Sequence, residues 1–224
     1  MPQQLSFDLP AKTALGREAF FVSPANATAV GMVENWANWP NRKLAVIGPS
    51  GAGKTHLAHV WAEMAAAQIV PATALPRLDI PELARSNIAV EDVAMIAGNA
   101  EAEVALFHLH NLALAEGRSL LFTAHVPPSR WGLRLPDLRS RMEGTASVIV
   151  ETPDDALLAA VLMKLFADRQ LSPTPDTLPY LLRRIDRSFD MARQVVSALD
   201  AAALSQGREI NRKLAADVLD GMLG

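Results

Sequence analysis

The sequence predicts an α/β protein in which a parallel sheet is followed by a small all-helical module. Two observations predict it. Short apolar segments that end in glycine, proline or acidic residues alternate with helical patterns up to about Pro153, and beyond that point only helical patterns remain. Strands that alternate with helices are typical of a parallel sheet covered on both faces. A chain of 224 residues is long enough for one full core and a small second module.

Four segments have the composition of buried strands. KLAVIG is apolar, contains β-branched residues and precedes a glycine-rich break, while RSLLFTAHVPP is ended by two prolines. The four predicted strands lie at 43–48, Ile88–Glu91, 118–128 and 147–155. Helices are predicted at 55–67 and 101–117, the second with Gly117 as its C-terminal stop.

The last third of the chain reads as consecutive helices. They are predicted at 154–171, 176–186, 190–207 and 211–223, with Asp154, Asp176 and Asn211 as N-terminal caps. We therefore divide the chain into a flexible tail (1–12), an α/β core (13–152) and a helical lid (153–224).

Composition excludes several classes of protein. The formal net charge is -3, which argues against a dedicated duplex-binding protein because such proteins rest on many Lys/Arg–phosphate contacts. The chain has no cysteine, so a disulfide framework, a thiolate metal site and a cysteine nucleophile are excluded. The first residues lack the pattern of a signal peptide, and no apolar run reaches the roughly 18 residues of a membrane span. We expect a cytoplasmic protein with no membrane partner.

The segment GPSGAGKT (48–55) fits the phosphate-loop pattern G-x-x-x-x-G-K-[ST] at every fixed position. Glycines let the backbone turn its N–H groups toward phosphate oxygens, and the following helix adds the positive end of its dipole. Lys54 supplies a cation for the β- and γ-phosphates, and the Thr55 hydroxyl is a ligand for Mg²⁺. An apolar strand before the loop and a helix after it strengthen the match.

An acidic pair follows the second predicted strand. Glu91 and Asp92 end the run IAVED, where phosphate-loop NTPases place the carboxylates that hold Mg²⁺ and polarise water. The usual first residue of the pair is aspartate. Glu91 adds a methylene, and Mg²⁺ demands near-ideal octahedral geometry, so we expect weak ATP hydrolysis by this chain alone.

The motifs together resemble the AAA+ ATPases of the DnaA clade. KTHLAH extends the phosphate loop as in that clade, and FFVSPANATA (20–29) looks like its adenine-side box, with Asn26 at the usual asparagine. LLFTAHVPP looks like the sensor I strand, although His125 occupies the position of an aspartate. The resemblance implies an AAA+ core with a helical lid that binds ADP or ATP with Mg²⁺. The implied nucleotide-binding residues are Phe21, Val22, Asn26, Ser50, Gly51, Ala52, Gly53, Lys54, Thr55, His56 and Arg193.

Two arginines take their roles from the same resemblance. LPDLRSRM is similar to the box that carries the arginine finger, which falls at Arg141 and would act on a partner's nucleotide. SFDMARQVVSAL is similar to the sensor II helix, whose arginine is Arg193. The resemblance thus makes Glu91, Asp92 and Arg141 the catalytic residues and Thr55, Glu91 and Asp92 the Mg²⁺ ligands. His56 is expected to pack and to contact the backbone.

The chain ends soon after the lid, without the helix-turn-helix domain of DnaA, and this resembles the Hda family. The resemblance implies a regulator that is docked on the DNA-loaded sliding clamp, stimulates ATP hydrolysis by DnaA and so prevents re-initiation, without sequence-specific DNA binding of its own. It would be nucleoid-associated through its partners. A helicase-loader-type AAA+ ATPase, a small-molecule kinase and a structural, nucleotide-free role are the alternatives, and self-association is left open.

The first ten residues, MPQQLSFDLP, place apolar side chains on a terminal tail. QLSFDL resembles the clamp-binding hexapeptide of the Hda family. Gln4 would offer its amide to a polar subsite, while Leu5, Phe7 and Leu9 would fill an apolar cleft. Such a tail orders on binding, which lowers affinity and allows reversible capture.

Overall fold

A computed structural model describes residues 21–223. The predicted clamp-binding residues Gln4, Leu5, Phe7 and Leu9 lie outside the described residues. The described strands are β1 (Lys43–Ile47), β2 (Gln68–Pro71), β3 (Ile88–Glu91), β4 (Leu120–Ala124) and β5 (Ser147–Ile149). The described α-helices are α1 (Ala27–Glu34), α2 (Lys54–Ala65), α3 (Ile80–Leu83), α4 (Ala100–Ala115), α5 (Pro136–Glu143), α6 (Asp155–Asp168), α7 (Thr177–Arg184), α8 (Phe189–Gln206) and α9 (Arg212–Leu223).

The strands form one parallel sheet in the order β2-β3-β4-β1-β5. In β1, which lies between β4 and β5, all five residues are buried, and Ile47 is opposite Ala124. Because every strand runs in the same direction, the segments that follow β1, β3 and β4 all emerge at one edge of the sheet. The predicted α/β class with an all-helical second part is confirmed.

Strand β2 was not predicted from the sequence. It pairs with β3 at the edge of the sheet, with Gln68 opposite Ile88, and both of its end residues are exposed. Only Ile69 and Val70 have strong strand preference, and Pro71 is tolerated because an edge strand needs fewer ladder N–H groups. Pairing with β3, rather than local sequence, establishes this strand.

Alternate residues of each central strand point to opposite faces of the sheet, and each face packs against its own helices. One hydrophobic cluster joins Ile47, Val90 and Phe122 to α4 and α5, and the other joins Leu44, Val46 and Leu121 to α1 and α2. A third cluster lies entirely within α6–α9. The helical lid therefore has a core of its own.

Three of the four tryptophans, Trp39, Trp61 and Trp131, are core residues. Trp61 is fully buried and stacks on Trp39, with ring centroids 5.2 Å apart, while the half-buried Trp36 meets Trp61 edge-on. Trp131 is 1% exposed and donates its indole N–H to the Val126 carbonyl oxygen at 2.7 Å. Its burial removes it as a contact for a partner protein.

Two of the three predicted helix caps are made by side chains. Asp154 accepts from the Leu157 N–H at 2.7 Å, and Asn211 accepts from the Leu214 N–H at 3.0 Å. Asp176 stands at the start of α7 but accepts from the Thr174 hydroxyl at 2.6 Å, so its side chain does not cap the helix. Gly117 takes a φ of +71° just after α4, which confirms the predicted stop.

Within residues 21–223, no helix combines the length and the apolar character that crossing a membrane requires.

His110 is a buried polar residue in α4. It is 2% exposed, and among the described residues only its Nδ1 has a partner, the Asn111 amide oxygen at 3.2 Å. Burial, together with the nearby positive charges of Lys43 and Arg141, lowers the pKa of His110 to about 4, and the Asn111 contact opposes this shift. The folded protein therefore holds His110 neutral at pH 7.

The low pKa of His110 predicts a loss of stability in mild acid. Between pH 6.5 and about 4 the unfolded chain binds a proton at this position and the folded chain does not, so the free energy of unfolding falls as the pH is lowered. The expected fall is at most about 1.4 kcal/mol per pH unit. Urea unfolding at several pH values gives the free energy of unfolding of the parent and of His110→Gln. The difference between these two free energies at each pH measures the contribution of His110.

Taking that difference cancels the titration of groups common to both proteins. His108→Gln, at an exposed histidine of the same helix, is the control for the loss of a histidine. A parent–variant difference that stays constant from pH 7 to pH 4 would show that His110 takes up its proton in the folded state.

Candidate nucleotide-binding site

The phosphate loop connects the end of β1 to the start of α2, as the sequence predicts. Gly51 and Gly53 have φ angles of +70° and +100°, a region that L side chains rarely adopt. At Gly48 a Cβ atom would lie 2.4 Å from the Val150 carbonyl oxygen. Glycine is therefore required at Gly51 and Gly53 for conformation and at Gly48 for close approach of the chain after β5.

Lys54 is the first residue of α2 and is 7% exposed. Its ammonium group donates to the carbonyl oxygens of Gly48 and Pro49, both at 2.8 Å, so the side chain folds back over its own loop. Burial lowers the pKa of Lys54, and the negative charges of Asp92, Asp190 and Glu91 oppose that shift. The ammonium group thus lies inside the loop, where phosphate oxygens are expected.

A cleft of about 380 Å³ lies over the phosphate loop. It is bounded by the loop and α2, by the residues that follow β3 and β4, and by the first turn of α8. The lining residues are Ser50, Gly51, Gly53, Lys54, Thr55, His56, Asp92, His125, Phe189, Asp190 and Arg193.

The lid contacts the phosphate loop through the start of α8. The Phe189 N–H donates to the Gly51 carbonyl oxygen at 2.9 Å, and the Ser188 hydroxyl caps α8 by accepting from the N–H groups of Asp190 and Met191. A Cβ atom on Gly51 would lie 1.9 Å from the Ser188 Oγ, and one on Gly53 would lie 2.8 Å from the Phe189 ring. The glycines thus also permit the lid to approach.

Arg193 lies one turn into α8 and forms an ion pair with Asp190 at the cleft. His56 lines the same cleft. Burial lowers the pKa of His56 to about 4, and the positive charge of Arg193 acts in the same direction. His56 is therefore neutral at pH 7, in agreement with a packing role rather than acid–base chemistry.

The acidic pair is divided between the cleft and the interior. Asp92 has a φ of +54°, and its N–H donates to the Thr123 hydroxyl at 3.0 Å, which directs its carboxylate into the cleft. The Nε2 of His125 lies 4.0 Å from the Asp92 Oδ1. Glu91 does not line the cleft, and its buried Oε1 has no hydrogen-bond partner within residues 21–223.

These donors fit Mg²⁺ as bound in phosphate-loop proteins. Within residues 21–223 no group of three His, Cys, Asp or Glu side chains could hold a metal by itself. Mg²⁺ instead takes one or two protein oxygens together with phosphate oxygens and water. Thr55 and Asp92, which both line the cleft, would supply the protein oxygens, whereas Glu91 lies outside the cleft.

Several predicted nucleotide-binding residues do not line the cleft. Phe21 and Val22 are exposed, whereas Asn26 is 3% exposed and holds their segment, since its amide donates to the Phe21 carbonyl oxygen at 2.9 Å. Ala52 is buried in the cluster beneath α2. Asn26 and Ala52 thus shape the backbone around the cleft.

Arg141 lies far from the cleft, in the last turn of α5. Its carbonyl oxygen accepts from the Lys43 Nζ at 2.9 Å. Lys43 is the first residue of β1, and the phosphate loop follows the last, Ile47, about 13 Å away at the usual rise of a strand. Arg141 is therefore placed at the opposite end of β1 from the chain's own phosphate loop.

Residue-by-residue reading of the sequence missed three residues of the site. Ser188, Phe189 and Asp190 all contact the loop or Arg193, although only the arginine of SFDMARQVVSAL was given a role. The signal was present, since a serine followed by an acidic residue is a typical N-terminal cap.

No model of a protein family matches the sequence. An uncharacterized protein of Haemophilus influenzae is 27% identical over 177 residues, which cover 73% of this chain and 75% of that protein.

Solved structures of AAA+ proteins share the fold. Domain III of the DnaA replication initiation protein from Thermotoga maritima has a TM-score of 0.81 and 19% identity, covering 95% of this chain and 98% of that domain. AMPPCP-bound DnaA from Aquifex aeolicus has a TM-score of 0.69 and 17% identity, covering 84% of this chain and 65% of that one. The FIGL-1 AAA domain in complex with ADP has a TM-score of 0.62, with 13% identity over 85% of this chain and 76% of that domain. The chain thus has a DnaA-like AAA+ fold.

The close approach at Gly51 predicts a selective effect of one added methyl group. Gly51→Ala should release the first turn of α8 from the loop, because the new Cβ atom would occupy the position of the Ser188 hydroxyl. Amide hydrogen exchange at the Phe189 N–H, which is bonded to the Gly51 carbonyl oxygen, should become faster than in the parent.

Gly207→Ala is the matched control for this prediction. Gly207 also has a positive φ, +60°, but none of the residues that the structure describes lies within 4 Å of an added Cβ atom. It therefore carries the cost of the left-handed backbone alone, about 1–2 kcal/mol. If Phe189 exchanged equally slowly in both variants, the loop–lid contact would not depend on the glycine.

Proposed function

We propose that the protein is a nucleotide-switched AAA+ regulator of replication initiation that acts on DnaA. One observation carries the proposal. The phosphate loop and the lid share one cleft, while Arg141 is exposed at the opposite end of β1. A cleft that Arg141 does not line, together with an exposed Arg141 remote from it, favours action between two AAA+ proteins.

The ligand of the cleft is ADP or ATP with Mg²⁺. The phosphates are bound by the loop N–H groups, the dipole of α2 and Lys54. Thr55 and Asp92 bind the Mg²⁺ ion that the phosphates also coordinate. Arg193 lines the cleft and would exchange its partner Asp190 for a phosphate oxygen. The similarity in fold to proteins with bound AMPPCP and ADP supports this class of ligand.

The bound nucleotide acts as a switch because it lies between core and lid. Ser188 and Phe189 already contact the loop at Gly51 and Gly53, so any ligand there touches both parts. The nucleotide thereby fixes the angle of the lid relative to the core. That angle decides whether the surface with Arg141 can reach the nucleotide of DnaA.

Arg141 is the finger that acts on DnaA. An arginine finger stabilises the charge that develops on the transferring phosphoryl group and contributes several orders of magnitude in rate. Arg141 therefore accelerates hydrolysis of the ATP that is bound to DnaA, and hydrolysis of ATP by this chain itself is weak. Hydrolysis of the ATP that is bound to DnaA prevents re-initiation.

The tail localises this activity. Gln4, Leu5, Phe7 and Leu9 form a docking peptide for the sliding clamp, with an amide for a polar subsite and three apolar side chains for a cleft. Clamp that is loaded on DNA marks replicated chromosome, so docking there restricts the regulator to the period after initiation.

Replacement of Arg141 tests the proposed function. In single-turnover hydrolysis of ATP by DnaA, with clamp and DNA present, the parent should accelerate hydrolysis. Arg141→Ala should lose at least about a thousandfold of that acceleration, the lower range of a finger's contribution. Binding of ADP to the chain itself, measured by calorimetry, should be unchanged because Arg141 is remote from the cleft.

Arg139→Ala is the control on the same helix. Arg139 is also exposed, and its only partner among the described residues is Glu143, at 3.9 Å. An Arg141→Ala protein that stimulated DnaA as well as the parent would refute the finger. A pull-down of helicase without clamp would favour the helicase-loader alternative.

Replacement of the tail tests clamp docking separately. Gln4→Ala with Leu5→Ala should abolish clamp binding in surface plasmon resonance and leave the affinity for ADP unchanged, because the cleft is built from residues 50–193. Retention of clamp binding would exclude the docking peptide. Loss of ADP affinity together with clamp binding would make the tail part of the fold.

A further inference from the structure

One face of α4 contacts the segment that leads to Arg141 through Glu103 and Phe107. These residues are spaced i and i+4, which places them on the same side of a helix. The face therefore touches both the start and the end of α5.

Glu103 holds the start of α5. Its carboxylate is 1% exposed and accepts three backbone hydrogen bonds, from Gly98 at 2.7 Å, Arg134 at 2.8 Å and Leu135 at 2.7 Å. Leu135 is the residue from which α5 begins, and Gly98 belongs to the loop that follows the acidic pair after β3. The buried carboxylate holds these three segments in place, because loss of any one of its hydrogen bonds would leave a buried negative charge with fewer donors.

The end of α5 is held through its backbone. The Arg141 carbonyl oxygen accepts from the Lys43 Nζ at 2.9 Å and from the Thr145 hydroxyl at 3.1 Å. Lys43 is buried at the start of β1, and its positive charge suits the negative end of the α5 dipole. The helix α5, which carries Arg141, is therefore held at both of its ends.

The Arg141 guanidinium lies over the Phe107 ring, 5.4 Å from its centroid. Among residues 21–223 no carboxylate lies within ion-pair distance of Arg141. An aromatic face attracts the cation without neutralising it and leaves the N–H edge of the planar group free for a phosphate. A carboxylate partner would instead occupy that edge.

We propose that Phe107 and Glu103 are positioning residues for Arg141. Glu103 fixes the start of α5, and Phe107 holds the guanidinium plane so that its N–H edge faces outward with its charge intact. The role of the arginine as a finger rests on the function proposed above, whereas its placement by Phe107 is a property of this chain alone.

Packing does not require an aromatic ring at this position. Phe107 is half-buried at the margin of the cluster between the sheet and α4, where an aliphatic side chain of similar volume would also fill the space. The ring is needed for the cation, so Phe107→Leu separates the two roles. Phe107→Tyr keeps the ring and is the matched control.

The first measurement is NMR of the Arg141 side chain in the isolated full chain, with Arg141→Lys used for assignment. In the parent and in Phe107→Tyr, the ring current should shift the signals of the guanidinium group and of the Arg141 Cδ protons upfield. In Phe107→Leu that shift should vanish and the Nε–Hε order parameter should fall.

Glu103→Gln tests the start of α5. The variant places amide hydrogens opposite the backbone N–H donors. Amide exchange at Leu135 should therefore become faster, and the Arg141 signals should change.

The second measurement is stimulated hydrolysis by DnaA. Phe107→Leu should lower the maximal rate about two- to fivefold, the range for an exposed cation–π contact, with no change in the concentration that gives half-maximal stimulation. Phe107→Tyr should restore the rate of the parent.

The outcomes separate the two proposals. If Arg141→Ala has no effect on DnaA, the proposed function fails, and the NMR measurement still decides the placement. If Arg141→Ala abolishes stimulation while Phe107→Leu retains the parent's Arg141 signals and rate, the positioning role is overturned. The inference is also overturned if Phe107→Leu and Phe107→Tyr behave alike in both measurements.

Discussion

The hydrogen bond from the Phe189 N–H to the Gly51 carbonyl oxygen is the contact on which the site depends. It joins the first turn of the lid helix α8 to the middle of the phosphate loop, and it exists only because Gly51 and Gly53 carry no side chains. With a Cβ atom at either position the lid would have to withdraw from the loop. The backbone requirement of the loop and the packing of the lid are thus met by the same two glycines.

The direction of the sheet explains the distribution of the remaining functional groups. In a parallel sheet the phosphate loop, Asp92 and His125 all follow carboxyl ends of strands, so they converge without any long connection. Lys43 stands at the other end of β1, where its Nζ donates a hydrogen bond to the Arg141 carbonyl oxygen. One strand therefore separates the cleft from Arg141.

The sequence predicted the local parts of this arrangement and not the long-range ones. The phosphate loop, the strand before it and the caps at Asp154 and Asn211 depend on neighbouring residues, and a pattern detects them. Strand β2 depends on β3, and two of the three hydrogen bonds of Glu103 come from Arg134 and Leu135, about 30 residues away, so no local pattern could indicate either. Asn26 was found by its motif, but its bond to the Phe21 carbonyl oxygen shows a structural role that the motif does not contain.

The two arginines with proposed functions differ in how their charge is held, and the difference matches their tasks. Arg193 is paired with Asp190 inside the cleft, so its charge is balanced until a phosphate competes for it. In the proposed function, that exchange would couple ligand binding to the first turn of α8. Arg141 rests on the Phe107 ring, which orients the guanidinium group and leaves its charge available at the surface. In the proposed function Arg193 contacts the chain's own nucleotide, and its ion pair with Asp190 can be exchanged for a phosphate. Arg141 would act on another molecule, and the Phe107 ring does not compete with a phosphate for its N–H groups.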